Sequence, residues 1–247
     1  GYLFKEFEEL FRDSFGRRAP IYKTIIEKLS SGFFGIEDIS AHMGWKKGGR
    51  ISEYLNDLSK SGFISRHASK KPGMKKSQKN TLYRLSDNYL RFYIKYLQPV
   101  AEQITSGTYH GKNLESLPEW ETIMGFQFEN LVLNNIPAVC HTAEINPETI
   151  VSSGPYVQRQ TKQKKGCQID LLIETQYTLY VCEIKFRKKI ERSVIDEVSE
   201  KINRLNYPST LSIRPVLIYA GGLAENIEAT GFFAKIVSFE ALLTTKI

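Results

Sequence analysis

Asp170 and the run Glu183-Ile184-Lys185 have the residue types and spacing for chemistry on a charged substrate. They fall in two runs rich in aliphatic and β-branched residues, 168–174 and 178–186, separated by a polar turn at Thr175, Gln176 and Tyr177. That pattern predicts two adjacent strands. A turn centred between Gln176 and Tyr177 sets Asp170 directly opposite Glu183. Strand side chains alternate between faces, so Asp170, Glu183 and Lys185 share one face. Directly opposed side chains lie roughly 4.5–5.5 Å apart at Cβ. Two carboxylates that close repel each other unless a cation neutralises them. Mg²⁺ answers that need, since it is held by one or two carboxylates together with waters and substrate phosphate. The plainer alternative is a charged strand end where Lys185 pairs with Glu183.

Asp170 followed by Glu-x-Lys on the next strand resembles the PD-(D/E)xK nuclease superfamily, with Ile169 standing where the consensus has Pro. The resemblance implies a phosphodiester hydrolase that uses Mg²⁺ or Mn²⁺. Asp170 and Glu183 would be metal ligands, and Lys185 would stabilise phosphate charge or position the attacking water. Glu129 is the implied third ligand. It sits on an expected helix over about 118–135, with Gly125, Phe126, Val132 and Leu133 three or four positions away. A carboxylate on such an apolar stripe is costly unless paired or metal-bound. The run Gly125-Phe126-Gln127-Phe128-Glu129 also resembles the helix motif that supplies a Glu in that superfamily. A rim position facing solvent or a lysine is the alternative.

The elements needed to position these residues are legible in outline. Strands are expected near 139–145, 156–161 and 215–219 besides the central pair, with a helix over 193–205. Such alternation predicts an α/β core, a restriction-endonuclease-like mixed sheet flanked by helices. Lys162, Lys164 and Lys165 precede Asp170, and Arg187, Lys188, Lys189 and Arg192 follow Lys185. They suit guidance of a nucleic-acid backbone, with ordinary surface charge as the alternative.

The first half follows another pattern. Helices are expected over 2–15, from Pro20 to Gly32, over 36–43 and from after Gly48-Gly49 to Ser61-Gly62, each with apolar residues at helical spacing. Two short strands follow, 63–66 and 81–85. Behind the leading helix, three helices and a two-stranded wing predict a winged helix-turn-helix, so the chain as a whole is α+β. Lys70, Lys71, Lys75, Lys76 and Lys79 crowd the wing loop without an acidic residue, and Lys46, Lys47 and Arg50 lie where a recognition helix would begin. DNA is the expected partner, because each lysine set on a phosphate releases counterions. A solvated loop, or protein docking, is the alternative. Ser86 is the expected N-cap of a further helix. The domains predicted are 1–98, a linker over 99–117, and 118–247.

The winged helix, the segment Tyr83-Arg84-Leu85-Ser86-Asp87-Asn88-Tyr89-Leu90-Arg91-Phe92 and the nuclease-like domain together resemble the C-terminal half of a family of archaeal and bacterial AAA-type ATPases. That implies an ATPase module ahead of Gly1. The chain carries no GxxxxGK[ST] loop, so ATP hydrolysis is not expected of this portion. A net charge of +7 favours a polyanionic partner. No run of about 18 apolar residues or secretory signal occurs, and the three cysteines lack metal-type spacing; a cytoplasmic location with reduced thiols is expected.

Overall fold

A computed structural model of the 247-residue chain describes residues 9, 11–45, 49–74, 80–111, 113–162 and 164–244. It divides into two compact units, Gly1–His67 with Thr81–Ile123, and Ala68–Asn80 with Met124–Ile247.

In the first unit, α1 (Ala19–Leu29) carries a proline in its first turn and buries Tyr22, Ile25, Ile26 and Leu29. These positions recur at intervals of three and four, which keeps them on one helix face. The two-residue strand β1 (Phe34–Gly35) leads into α2 (Ile36–His42), where the Asp38 carboxylate accepts the Gly35 N–H at 3.1 Å. Helix α3 (Gly49–Lys60) turns Ile51, Tyr54, Leu55 and Leu58 inward. It is followed by Gly62 at φ 79°, a left-handed position suited to glycine. With β2 (Ile64–Ser69) and β3 (Asn80–Leu85) these elements make a three-stranded sheet of order β1-β3-β2.

Two local expectations are corrected here. Asp87, not Ser86, caps α4 (Asn88–Phe92): its Oδ1 accepts the Leu90 N–H at 2.9 Å, while Ser86 Oγ donates to the Gly62 carbonyl. The stretch expected as a bare connection holds α5 (Ala101–Ser106), which stops at Gly107 in the left-handed conformation.

The second unit is built on a five-stranded sheet of order β4-β5-β6-β7-β8. Its strands are β4 (Ile150–Gln158), β5 (Cys167–Thr175), β6 (Thr178–Ile190), β7 (Ser212–Leu223) and β8 (Lys235–Ser238). The β4–β5 and β5–β6 pairs are antiparallel, whereas β6–β7 and β7–β8 are parallel. A parallel pair needs a crossover, supplied between β6 and β7 by the helix Ser193–Arg204. Helices α6 (Trp120–Asn134) and α7 (Ile136–Thr142) precede the sheet, so the crossover helix is α8. The strand expected at 139–145 is thus replaced by a helix through Thr142 and a turn; Pro137 opens that helix, and a short apolar run alone does not distinguish the two forms.

Strand β6 is central, so Leu179, Val181 and Cys182 are fully buried. Val194 and Val198 of α8 pack with Leu217 and Ile190, while Leu205 joins Ile169, Leu172 and Val181. Gly221 has φ 110°, and a Cβ there would overlap the Arg187 carbonyl oxygen, where the β6–β7 register shifts. Only glycine accepts both conditions. Among the described residues no helix is long and apolar enough to cross a membrane.

Candidate active site

The β5–β6 ladder pairs Leu171 with Cys182, and the next step of that register brings Asp170 opposite Glu183. Past that pair the Asp170 side chain takes a backbone group, with Oδ2 accepting the Ile184 N–H at 2.9 Å. Glu183 is 1% exposed and Asp170 7%. Two carboxylates at that depth demand compensation. It comes from two ammonium groups. Lys201 Nζ lies 2.5 Å from Glu183 Oε2 and 3.8 Å from Asp170 Oδ1. Lys185 Nζ lies 3.0 Å from Glu183 Oε1 and 2.7 Å from Glu197 Oε2. Charges therefore alternate along a chain Asp170–Lys201–Glu183–Lys185–Glu197.

The electrostatics show which member is strained. Burial, then repulsion from Glu183, pushes Asp170 up to about 6, against the pull of Lys201 and the Ile184 N–H. Burial acts to lower Lys185 and Lys201, but the surrounding carboxylates outweigh it and both end above their ordinary value. For Glu197 burial acts upward, yet the Lys185 contact prevails and holds it below the usual range. Asp170 is thus a carboxyl poised near neutrality beside two firmly charged lysines.

Three sequence-expected residues meet here: Asp170, Glu183 and Lys185. Glu129 is half-buried on α6. Among the described residues no three His, Cys, Asp or Glu side chains form a group that could hold a metal. The described residues thus bring Asp170 and Glu183 together without a third carboxylate ligand, and the negative charge of that pair is offset by Lys201. Lys201 and Glu197 were not legible from sequence. They stand four apart on α8, a spacing that puts them on one helix face, but nothing in it tells which way that face points.

Of the eight expected DNA-contacting residues, three are among the described ones. Arg50 is exposed in the first turn of α3. Lys70 is half-buried and Lys71 exposed, on a segment belonging to the second unit, where the Gly73 N–H donates to Glu174 Oε1 at 2.9 Å. Lys46, Lys47, Lys75, Lys76 and Lys79 lie outside the described residues. Cys140, Cys167 and Cys182 are buried free thiols, and burial pushes all three up.

A family model, DUF234, described as archaeal and bacterial proteins of unknown function, matches residues 93–201. The matched stretch runs from before Glu129 to Lys201. An uncharacterized protein of Methanocaldococcus jannaschii, MJECL04, is 26% identical over 110 residues, which is 44% of this chain and 24% of that protein. A crystal structure of protein VC1899 from Vibrio cholerae is 12% identical with a TM-score of 0.38, over 98% of this chain and 52% of that one. The chain spans about half of that structure and matches about a quarter of the archaeal protein.

Proposed function

We propose that the second unit hydrolyses phosphodiester bonds in nucleic acid, with Asp170 and Glu183 as the carboxylates that would hold Mg²⁺ or Mn²⁺ and Lys185 as the group that meets the phosphate. The observation that carries this reading is the convergence of Asp170 and Glu183 on one ammonium group, with Lys185 two residues along the same strand. The donor chemistry fits a hard divalent cation: two buried carboxylates suffice where waters and substrate phosphate complete the sphere. Bound there, the cation would supply Lewis acidity and a bound water of lowered pKa. Lys185 would offset charge building on the phosphate oxygens, held in place for that by Glu197. Asp170, raised to about 6, would be ionised at neutral pH yet released from repulsion by any cation it meets.

The first unit would bring DNA to this centre. Helices ahead of a sheet of order β1-β3-β2 suit a winged helix, with Arg50 at the start of α3. The likeness of the winged helix, the segment 83–92 and the nuclease-like domain together to the C-terminal half of an AAA-type ATPase family supports an ATPase module in the whole protein.

One observation favours a second reading. Glu183 and Asp170 already share the Lys201 ammonium, so part of their charge is offset from within. On that reading the unit clamps nucleic acid without cutting it. Plasmid cleavage in Mg²⁺ or Mn²⁺ decides between the two. Cleavage should be lost in Glu183→Ala and Lys185→Ala alike; activity surviving both substitutions belongs elsewhere, and DNA retention without cleavage selects the clamp.

A further inference from the structure

Helix α8 carries Glu197 and Lys201 into the centre, and at its C-terminal end it borders a separate cleft. The cleft measures about 230 Å³ and is lined by Lys164, Lys165, Asn203, Arg204 and Leu205. We propose that this cleft binds a backbone phosphate of a nucleic-acid strand and holds the strand beside the Asp170–Glu183 pair, an assignment that rests on the phosphodiesterase reading for the use of the bound strand though not for its binding.

Three observations converge on an anionic ligand. The first is charge: three of the five lining residues are cationic. Lys164 Nζ donates to the neutral Asn206 Oδ1 at 2.5 Å, so that contact leaves its charge unbalanced. The second is an orphan donor. Arg204 Nη2 is paired with Glu200, but Arg204 Nε is buried and has no hydrogen-bond partner among the described residues. A buried N–H left unmade is costly, and a guanidinium edge is shaped to meet phosphate oxygens. The third is that the lining is held in position. Gln158, at the end of β4, donates from Nε2 to the Lys165 carbonyl at 2.9 Å and to the Arg204 carbonyl at 2.7 Å. Its Oε1 accepts the Asn206 N–H at 2.9 Å. One side chain thus ties both walls together. The Thr161 N–H donates to the Lys164 carbonyl at 2.9 Å and closes the loop on that side.

The cleft also lies close to the centre. Lys201 and Arg204 stand three apart on α8, which makes them neighbours on the helix surface. Both act electrostatically on the Cys167 thiol at the start of β5. The negative end of the α8 dipole opposes an anion here, and the three cations have to outweigh it. A repeating polyanion that meets several of them at once does so better than a single small ion.

The test is fluorescence anisotropy of labelled duplex DNA, single-stranded DNA and RNA of one sequence, titrated with the full chain in EDTA. Lys165→Gln combined with Arg204→Gln should weaken the best-bound strand by about tenfold or more, and flatten the salt dependence by about 0.9 for each duplex phosphate no longer neutralised. Lys235→Gln, on the opposite edge strand, loses charge without the cleft and should leave affinity unchanged. Each single variant provides a milder change should the double variant fold poorly. Unchanged affinity and slope in the singles and the double overturn the proposal. So does displacement of the strand by inorganic phosphate or poly-glutamate at equal charge concentration. Loss of binding in the variants with no cleavage by the parent chain supports the cleft and sinks the hydrolase; cleavage with unchanged variants does the reverse.

Discussion

Both units bury charge, and they do it differently. In the first, Arg84 and Arg91 are each 2% exposed. Arg84 Nε donates to His67 Nε2 at 2.9 Å, and Arg91 donates to the carbonyls of Ser30 and Leu85. The acceptors in these contacts are neutral. In the second, Asp170 and Glu183 are pressed against each other and two lysines hold them there. An arrangement whose members repel has no structural advantage over apolar packing. Strain of that kind collects where chemistry is done.

The largest effect should come from breaking the strained arrangement. Glu183→Ala leaves Lys201 and Lys185 facing a hole, and loss of one partner from a buried pair should cost about 3–5 kcal/mol in denaturant unfolding. Arg84→Met keeps the volume and removes one donor to His67, and should cost about 1–3 kcal/mol. A larger loss in Arg84→Met than in Glu183→Ala would invert the comparison.

Acid should then move the two units in opposite directions. Asp170 rises from 3.8 unfolded to about 6 folded, so it favours folding most below about pH 4, and that contribution is lost as pH climbs to about 6. Glu197, held below its ordinary 4.5, works the other way only at the acid end of that window. Burial, then Arg84, lowers His67 from 6.5 to about 4, so its contribution is full above 6.5 and lost as pH falls toward 4. The Asp170 and His67 contributions should each amount to about 3 kcal/mol by linkage. Hydrogen exchange at pH 4.5 and 7 should show the second unit gaining protection in acid while the first loses it; parallel trends would break the contrast.

Asp170→Asn sharpens the same point. The amide oxygen still accepts the Ile184 N–H while the repulsion is gone, so in EDTA the variant should exceed the parent by about 1–2 kcal/mol at pH 7.5, with the gain vanishing near pH 4. A loss at pH 7.5 would mean that the Lys201 contact outweighs the repulsion. The smallest effect is expected from the cation. Mg²⁺ at ten times its dissociation constant should stabilise the parent by about 1.4 kcal/mol and Asp170→Asn by less. Equal shifts would place the cation elsewhere.

The pairing of Asp170 with Glu183 was legible because a strand has a two-residue period and the turn at 175–177 sets the register. The β5–β6 ladder follows that register. Helices α1 and α3 were likewise written in their apolar spacing and their glycine stops. Short apolar segments were less clear. The run at 139–145 suits either form, and the four residues of β8 are too few to show a period.

Local order thus sufficed for what local order governs: which residues of a strand share a face, where a helix starts and stops, which two carboxylates meet across a hairpin. Tertiary packing decided the rest. Lys201 reaches Glu183 only because α8 crosses over from β6 to β7 and lays one particular face on the sheet. Gln158 reaches the Arg204 carbonyl across 46 residues of chain for the same reason. Glu129 falls outside the carboxylate pair because the direction a helix presents its side chains depends on what it packs against. Spacing along the chain defines a face, and only contact with distant elements decides where that face points.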